Sequence, residues 1–550
     1  MPDSPAADAA ARLLGVLAGQ GLRHVVVSPG SRSQALALAA VALERARALT
    51  VHVRIDERVA GFTALGLAVE TGTPVAVVVT SGTAVAELHP AVLEAHHAGV
   101  PLLLLTADRP DELRGIGANQ ATDQPGIFGS AVAEVHDVAA PEPGEDLAPL
   151  QAAAERAYRA ALVTRQPVQM NVAYREPLSG APTEVAPIAV GALPPAVDHG
   201  PALRVEPGPR TVVIAGDRAG EEAEAFARAL DAPLLAEVSS GARFGPNLVG
   251  AYRALLDDAD LGGRVERAVV FGHPTLSRQV PRLLQREDVE TVLVGPPGGE
   301  WFDPSRGRAT RTGRVEAGGP GDHAWRGAWV HASRRLLDAT EDLPYAGRPD
   351  EPGARERRDH TRTELAALRA PITRRVLVDA VWRATWPHDR LVLGASRLIR
   401  EADDAVPGKR IRVVANRGLA GIDGTVSTAT GVGLGMAGEG SGTVRVLLGD
   451  LTLLHDAGAL LRTPGEAWPR LQVVVGDDGG GSIFDSLEVA GTADPADFER
   501  VLRTPRPVDL AALAAAYGWT HRRIETRGDL DRALTAPEPG QSLLEVPLAR

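Results

Sequence analysis

The sequence predicts an α/β protein of three domains with mainly parallel sheets. Short β-branched runs alternate with Ala/Leu-rich stretches of helical length, which calls for crossover connections and parallel strands. Two loop-like passages, one rich in Pro and Gly and one polar with Pro, divide the chain into three. The first and last thirds repeat the same alternation, so a duplicated α/β domain flanks a different middle one.

In order, residues 6–20 form a helix that Gly21 stops. Strands at 24–28, 51–55, 75–80 and 102–106 alternate with helices at 33–47, 58–71 and 84–97. A helix over 150–164 and a strand over 168–172 finish a first domain, 1–180. Residues 181–209 carry Pro182, Pro187, Pro194, Pro195, Pro201 and Pro207 and are expected to be a linker. The central domain, 210–340, opens with a strand at 211–215 and a helix at 221–230, and adds strands at 268–272 and 291–294. A second linker is expected at 341–360. The third domain, 361–550, runs through elements at 376–386, 391–393, 411–414, 444–448 and 471–475, with 510–517 and 543–546 closing it.

The 550 residues are 44% hydrophobic, enough for a buried core. The balance of 58 Lys+Arg against 70 Asp+Glu, a net of -12, argues against broad binding to nucleic acid or anionic membranes. It leaves room for a local cluster of Arg around a small anion. With Cys 0, disulfides, thiolate nucleophiles and Cys-ligated metals are excluded. Apolar runs such as 75–79 and 102–105 are far too short to span a bilayer, and the first residues lack a basic start followed by an apolar run. A cytoplasmic protein is expected.

Candidate chemistry gathers where strands end, as ligands do in open parallel sheets. Ser28-Pro29-Gly30-Ser31-Arg32-Ser33 lies between a strand and a helix, where free N–H groups and Arg32 can hold an anion. Asp56-Glu57-Arg58 puts a carboxylate at another strand end, placed for acid/base work or simply for a helix start. Thr80-Ser81-Gly82-Thr83-Ala84 and Thr106-Ala107-Asp108-Arg109-Pro110 follow two further strands. In the last third, Gly449-Asp450 and Gly476-Asp477-Asp478-Gly479-Gly480-Gly481 each follow a strong strand, which would bring Asp450 and Asp477 together at the sheet edge. Carboxylate and carbonyl oxygens suit Mg²⁺ beside a phosphate, and glycines let backbone approach a diphosphate. There is no Gly-x-x-x-x-Gly-Lys-Ser/Thr loop of the nucleotide-hydrolysing kind.

Together these residues resemble the thiamine-diphosphate-dependent enzymes. That family's signature is Gly-Asp followed some 25 residues later by Asn-Asn; here Gly449-Asp450 is followed by Asp477-Asp478. The family's glutamate after the second strand is matched by Glu57. The finer resemblance is to the branch that serves menaquinone biosynthesis. It rests on 28–33 (SPGSRS), 56–58 (DER), 80–84 (TSGTA), 106–110 (TADRP), 117–120 (GANQ) and 416–428 (NRGLAGIDGTVST). It covers nearly the whole chain and is weak between residues 180 and 265.

The resemblance implies the thiamine-diphosphate-binding fold: a pyrimidine-binding domain, a central domain and a diphosphate-binding domain. Active sites would form between the first domain of one subunit and the third of another, in a homodimer or a dimer of dimers. It implies thiamine diphosphate with Mg²⁺ (or Mn²⁺) as cofactors. The implied reaction decarboxylates 2-oxoglutarate and adds the resulting succinyl-semialdehyde carbanion 1,4 to isochorismate. Glu57 would address the cofactor's pyrimidine and Ile422 would hold the cofactor bent. Asp450, Asp477 and the Gly479 carbonyl would hold the metal beside Gly449. A count back from Phe484 would instead shift the metal ligands by one residue, to Asp478. Ser396, Arg400 and Arg417 would hold the oxoglutarate-derived part, with Arg278 brought from the central domain. Ser31, Arg32, Arg109, Asn119 and Gln120 would face isochorismate, and Phe484 would form an apolar wall. Two rivals are another 2-oxoacid decarboxylase or carboligase of the same cofactor class, and a non-catalytic protein on the same scaffold.

Overall fold

The structure, a computed structural model, describes residues 4–180, 185–189, 200–295, 301–339, 362, 366, 368–436 and 442–550. The expected second linker, 341–360, lies outside the described residues.

The first sheet contains β1 (His24–Val27), β2 (Thr50–Val53), β3 (Val75–Val79), β4 (Leu102–Asp108), β5 (Glu134–Val138) and β6 (Val168–Ala173), in the order β2-β1-β3-β4-β6-β5. The middle region holds β7 (Leu203–Val205), β8 (Thr211–Ala215), β9 (Leu234–Ala236), β10 (Arg267–Phe271), β11 (Glu290–Val294), β12 (Thr310–Thr312) and β13 (Val315–Ala317). Five of these make a sheet ordered β12-β11-β10-β8-β9, and β13 pairs with β7. The last sheet contains β14 (Arg390–Leu393), β15 (Arg412–Val414), β16 (Val444–Gly449), β17 (Leu471–Asp477), β18 (Thr520–Arg523) and β19 (Gln541–Pro547), in the order β15-β14-β16-β17-β19-β18. The strand pairs within these sheets are parallel. Parallel sheets are covered on both faces, so their central strands read as apolar runs, as β3 and the first four residues of β4 do.

The first and last sheets have the same strand order once renumbered, and their equivalent helices meet. Helix Glu57–Thr71 follows β2, and helix Thr425–Gly435 follows β15. Both are buried on every side: 59 to 68 without a break in one, 425 to 433 in the other. Each is covered by its own sheet and by the other helix, so neither has a polar face. Glycines let the backbones touch. A Cβ at Gly66 would stand 2.0 Å from the Thr428 carbonyl oxygen, and one at Gly431 2.0 Å from that of Thr63.

Two details differ from the sequence expectation. The helix expected over 84–97 is two, Thr83–Ala86 and His89–Ala98. Pro90 lacks an N–H and its ring would strike the carbonyl four residues back, at Ala86, where the first helix ends. Of the stretch expected as the first linker, 181–209, residues 181–184 and 190–199 lie outside the described residues, and parts of the rest are docked. The Ile188 N–H donates to the Gly15 carbonyl at 2.9 Å, a Cβ at Gly19 would clash with the Ile188 carbonyl, and 203–205 is the strand β7.

Candidate active site

The N-terminal half of the site is built from the loops after β1, β3 and β4. A Cβ at Gly30 would lie 2.3 Å from Thr80 Cβ, so only glycine lets these two loops close on one another. The Arg32 N–H donates to Thr80 Oγ1 at 3.3 Å, and its guanidinium donates to the Tyr174 carbonyl at 3.0 Å. The Arg109 guanidinium donates to Ser81 Oγ, and Gln120 Nε2 donates to the Ser81 carbonyl at 2.9 Å. Ser31, Asn119 and Gln120 are exposed around this cluster. Burial, then the nearby Arg32 charge, lowers the Arg109 pKa. The pair therefore gains from an anion.

A buried polar floor fixes these loops. Gln124 Oε1 accepts the Gly82 N–H at 2.9 Å, and its Nε2 donates to Asn171 Oδ1 at 2.9 Å. Asn171 Nδ2 donates to Asp108 Oδ2 at 3.0 Å. Of these, Gln124 and Asn171 were not singled out from sequence. Their signal is amide side chains inside β6, whose positions are all buried.

Glu57 occupies the first turn of its helix, behind Asp56, whose carboxylate caps the Val59 N–H at 3.1 Å. Burial is the largest effect on Glu57 and raises its pKa; Asp56 and Glu87 add to the rise.

The C-terminal half carries the opposite charge. In register, Gly449 of β16 faces Gly476 of β17, so Asp450 and Asp477 leave neighbouring strands side by side. These are the two central strands of the sheet, so the site sits at its C-terminal end and not at a lateral edge. Burial first, then Asp478 and Asp477, pushes the Asp450 carboxyl up to about 6, while the Leu451 and Gly480 amides pull it down. Asp478 is already engaged by Arg374 (2.7 Å) and Ser482, whereas Asp477 accepts the Gly479 N–H at 3.2 Å. The Arg550 guanidinium donates to the Gly479 carbonyl at 3.3 Å.

This donor set fits a divalent cation carried with a diphosphate. Crowded carboxylates call for positive charge, and a Cβ at Gly449 would meet nothing nearer than the Gly476 carbonyl at 4.0 Å. Among the described residues no group of three or more His, Asp or Glu could hold a metal by itself. Mg²⁺ commonly takes one or two carboxylates and completes its shell with phosphate and water.

A second cationic group lies at the junction of the last sheet with the central domain. Ser396 Oγ caps its helix by accepting the Leu398 N–H at 3.1 Å, and Arg400 Nη1 donates to the Ser396 carbonyl at 3.0 Å. Burial, then Arg417, Arg253 and Arg278, lowers the Arg400 pKa. Arg278 from the central domain thus stands with Arg400 and Arg417. Arg417 is buried, its Nε donating to Thr275 Oγ1 at 2.8 Å. Ile422 is 36% exposed and Leu419 53%, on the loop leading into helix Thr425–Gly435. Phe484 is half-buried, in the turn that follows the Asp477–Gly481 loop.

Within one chain the charges acting on Glu57 are Asp56 and Glu87, and Asp477 and Asp478 are among those acting on Asp450. Neither Asp450 nor Asp477 is thus among the charges acting on Glu57.

Comparison with known proteins agrees with this chemistry. Residues 7–127 match the model of the thiamine pyrophosphate enzyme N-terminal TPP binding domain. A 2-succinyl-5-enolpyruvyl-6-hydroxy-3-cyclohexene-1-carboxylate (SEPHCHC) synthase of Leifsonia xyli subsp. xyli is 58% identical, over 100% of this chain and 97% of that protein. One from Clavibacter michiganensis subsp. michiganensis is 56% identical over the same shares. One from Kineococcus radiotolerans is 45% identical, over 100% of this chain and 96% of that protein. With thiamine-diphosphate chemistry legible at both sheet ends and such identity end to end, the chain belongs to the SEPHCHC synthase family of thiamine-pyrophosphate enzymes.

Proposed function

We propose that the chain catalyses the SEPHCHC synthase reaction of menaquinone biosynthesis. 2-Oxoglutarate loses CO₂, and the remaining succinyl-semialdehyde unit forms a C–C bond by 1,4-addition to isochorismate. When bound, thiamine diphosphate supplies the nucleophilic carbon and the sink for the electron pair left behind when CO₂ departs. Asp450, Asp477 and the Gly479 carbonyl would hold Mg²⁺ or Mn²⁺ and with it the diphosphate. The engagement of Asp478 by Arg374 favours Asp477 as the ligand. Glu57 would share a proton with the pyrimidine, a role helped by a carboxyl that burial keeps easier to protonate. Ile422 would brace the cofactor and Phe484 would wall the substrate space.

The observation that carries this reading is two groups of mutually repelling guanidiniums on an acidic chain. Arg32 and Arg109 form one group, and Arg278, Arg400 and Arg417 the other. Both substrates are dicarboxylates, and planar guanidiniums suit carboxylates. Arg400, Arg417, Arg278 and Ser396 would take the 2-oxoglutarate side. Ser31, Arg32, Arg109, Asn119 and Gln120 would take isochorismate.

We assign the pyrimidine-binding domain to 1–180, the central domain to 210–340 and the diphosphate-binding domain to 361–550. The active site would be completed between subunits of a homodimer or dimer of dimers, in the cytoplasm. The exposed Ile422 and Leu419 support that assembly. No helix among the described residues is long and apolar enough to cross a membrane. The test is incubation with 2-oxoglutarate, isochorismate, Mg²⁺ and thiamine diphosphate, following CO₂ and the mass of the product. Equal turnover of pyruvate, or no carboligation, would overturn the reading.

A further inference from the structure

Two buried carboxylates have no part in the roles given above. Glu94, on helix His89–Ala98, is 4% exposed, and Glu237, just after β9, is 1% exposed. They reach the Arg417 segment from different domains. Glu94 divides its oxygens: Oε1 accepts the Gly418 N–H at 2.7 Å and Oε2 the Leu419 N–H at 2.8 Å. A Cβ at Gly418 would stand 2.7 Å from the Glu94 carbonyl oxygen and 3.0 Å from the Ala98 nitrogen, so glycine permits this approach.

Glu237 uses one oxygen for two donors. Its Oε1 accepts the Thr275 N–H at 2.8 Å and the Leu276 N–H at 2.7 Å. Thr275 in turn receives the Arg417 guanidinium: Nε donates to its Oγ1 at 2.8 Å and Nη2 to its carbonyl at 3.2 Å. The same loop continues to Arg278. A single carboxylate therefore pins the segment that both receives Arg417 and carries Arg278.

We propose that Glu94 and Glu237 are positioning residues for the 2-oxoglutarate site, clamping Arg417 by its following backbone from the first domain and by its guanidinium from the central domain. This rests on the assignment of Arg417 to 2-oxoglutarate. The physical need is plain. Arg417 stands near Arg400, a like charge that pushes it away before any substrate arrives. Paired backbone-amide hydrogen bonds to each side chain resist that push; burial pushes the Glu237 carboxyl up to about 8, so near neutral pH it holds its two amides largely as an uncharged acceptor. Burial raises the pKa of both carboxyls. At Glu94 the two amides and the Arg417 and Arg218 charges oppose the rise; at Glu237 Asp403 adds to it.

The two clamps should answer the same substitution differently. Glu237→Gln keeps one acceptor oxygen, all that Glu237 uses, so the KM for 2-oxoglutarate should stay within about threefold of the parent. Glu94→Gln turns an NH₂ towards one of two amides, and that KM should rise about tenfold or more. Glu237→Ala should raise it by about tenfold to a hundredfold, since small displacements of a substrate-holding group are costly. Thiamine diphosphate affinity, by calorimetry in Mg²⁺, should stay within about twofold in the two Glu237 variants, because Glu237 and the Thr275 it holds have no assigned role at the cofactor, whereas Glu94 also holds the loop that carries Ile422. Arg417→Ala is the reference. In its background Glu237→Ala should add less than about twofold, since the group it positions is gone.

If Arg417→Ala raises the KM while Glu237→Ala and Glu94→Gln leave it unchanged, the clamp is overturned and the assignment of Arg417 survives. If Arg417→Ala leaves the KM unchanged, that assignment falls first. Should Glu94→Gln fail to fold, the Glu237 pair decides alone. Loss of cofactor binding in Glu237→Ala would mark a general structural role and overturn the proposal.

Discussion

The first and last sheets are one scaffold used twice with opposite charge. Both run in the same strand order, and both put their loops at the C-terminal ends of the central strands. At one end stand Arg32 and Arg109 over a floor of amides; at the other stand Asp450, Asp477 and Asp478. A parallel sheet fixes where a ligand can bind, and a handful of loop residues decides which charge it must carry. On the proposed reading, one half seeks an anion and the other a cation with its diphosphate.

The sharpest way to break this comparison is to remove the acidic end. Asp450→Ala should abolish cofactor binding in calorimetry with Mg²⁺ and lower turnover by about a thousandfold or more. Arg109→Ala, at the basic end, should leave cofactor affinity unchanged and weaken the use of isochorismate. If both variants lose cofactor equally, the division of labour is wrong.

Glu57 belongs to the basic half yet would act on the cofactor held by the acidic half. Glu57→Gln should cut turnover by about a hundredfold or more, since it removes a proton-sharing group, with urea unfolding nearly unchanged. Near-normal carboligation would remove Glu57 from that role. Arg400→Ala should raise the KM for 2-oxoglutarate by about tenfold to a hundredfold, the range expected when a charged hydrogen bond of ~1.5–3 kcal/mol is lost. An unchanged KM would count against its assignment.

The helix pair that joins the halves tests packing instead of chemistry. Gly66→Ala drives a methyl into the Thr428 carbonyl and should destabilise by about 1–3 kcal/mol in urea unfolding. Gly72→Ala at the end of the same helix meets open space, so any loss there comes only from its positive φ of 71°.

A last test, read in stability against pH, is acid sensitivity in the first sheet. His24 and His52 stack on β1 and β2 with ring centroids 5.4 Å apart. Burial, then His24 and Arg54, lowers the His52 pKa to about 3. A histidine held neutral binds fewer protons folded than unfolded, so its stability contribution is whole above the usual 6.5 and shrinks as pH falls towards 3. Urea midpoints measured from pH 7 to 4 should fall, and His52→Leu should flatten that fall.

Much of the site was legible because it sits where strands end. Asp450 comes one glycine after the strand Val444–Gly449's apolar run, and Glu57 follows the alternating strand Thr50–Val53 by a short turn, so their place at a sheet's rim is read from the chain itself. Arg278 is different: it comes from a central-domain loop, and only the fold brings it beside Arg400 and Arg417. The charge that singles out Asp477 from Asp478 was also hidden, because Arg374 lies a hundred residues away in sequence and one ion pair away in space. Glu94 reads as an ordinary helical residue until the fold lays Gly418 against it. The edge strand β5, Glu134–Val138, lacks an apolar run because it is only half covered, and so left no strand signal.

The sequence by itself determined the parallel α/β architecture, the duplicated ends and the residues at the strand tips, since those depend on local periodicity and on what must follow a buried strand. Only the tertiary structure decided which further charges share a space: the engaged Asp478 and the carboxylates on either side of Arg417, while the three arginines had been grouped only by resemblance. Their separation along the chain carries no information about distance, because they are brought together by the packing of whole domains.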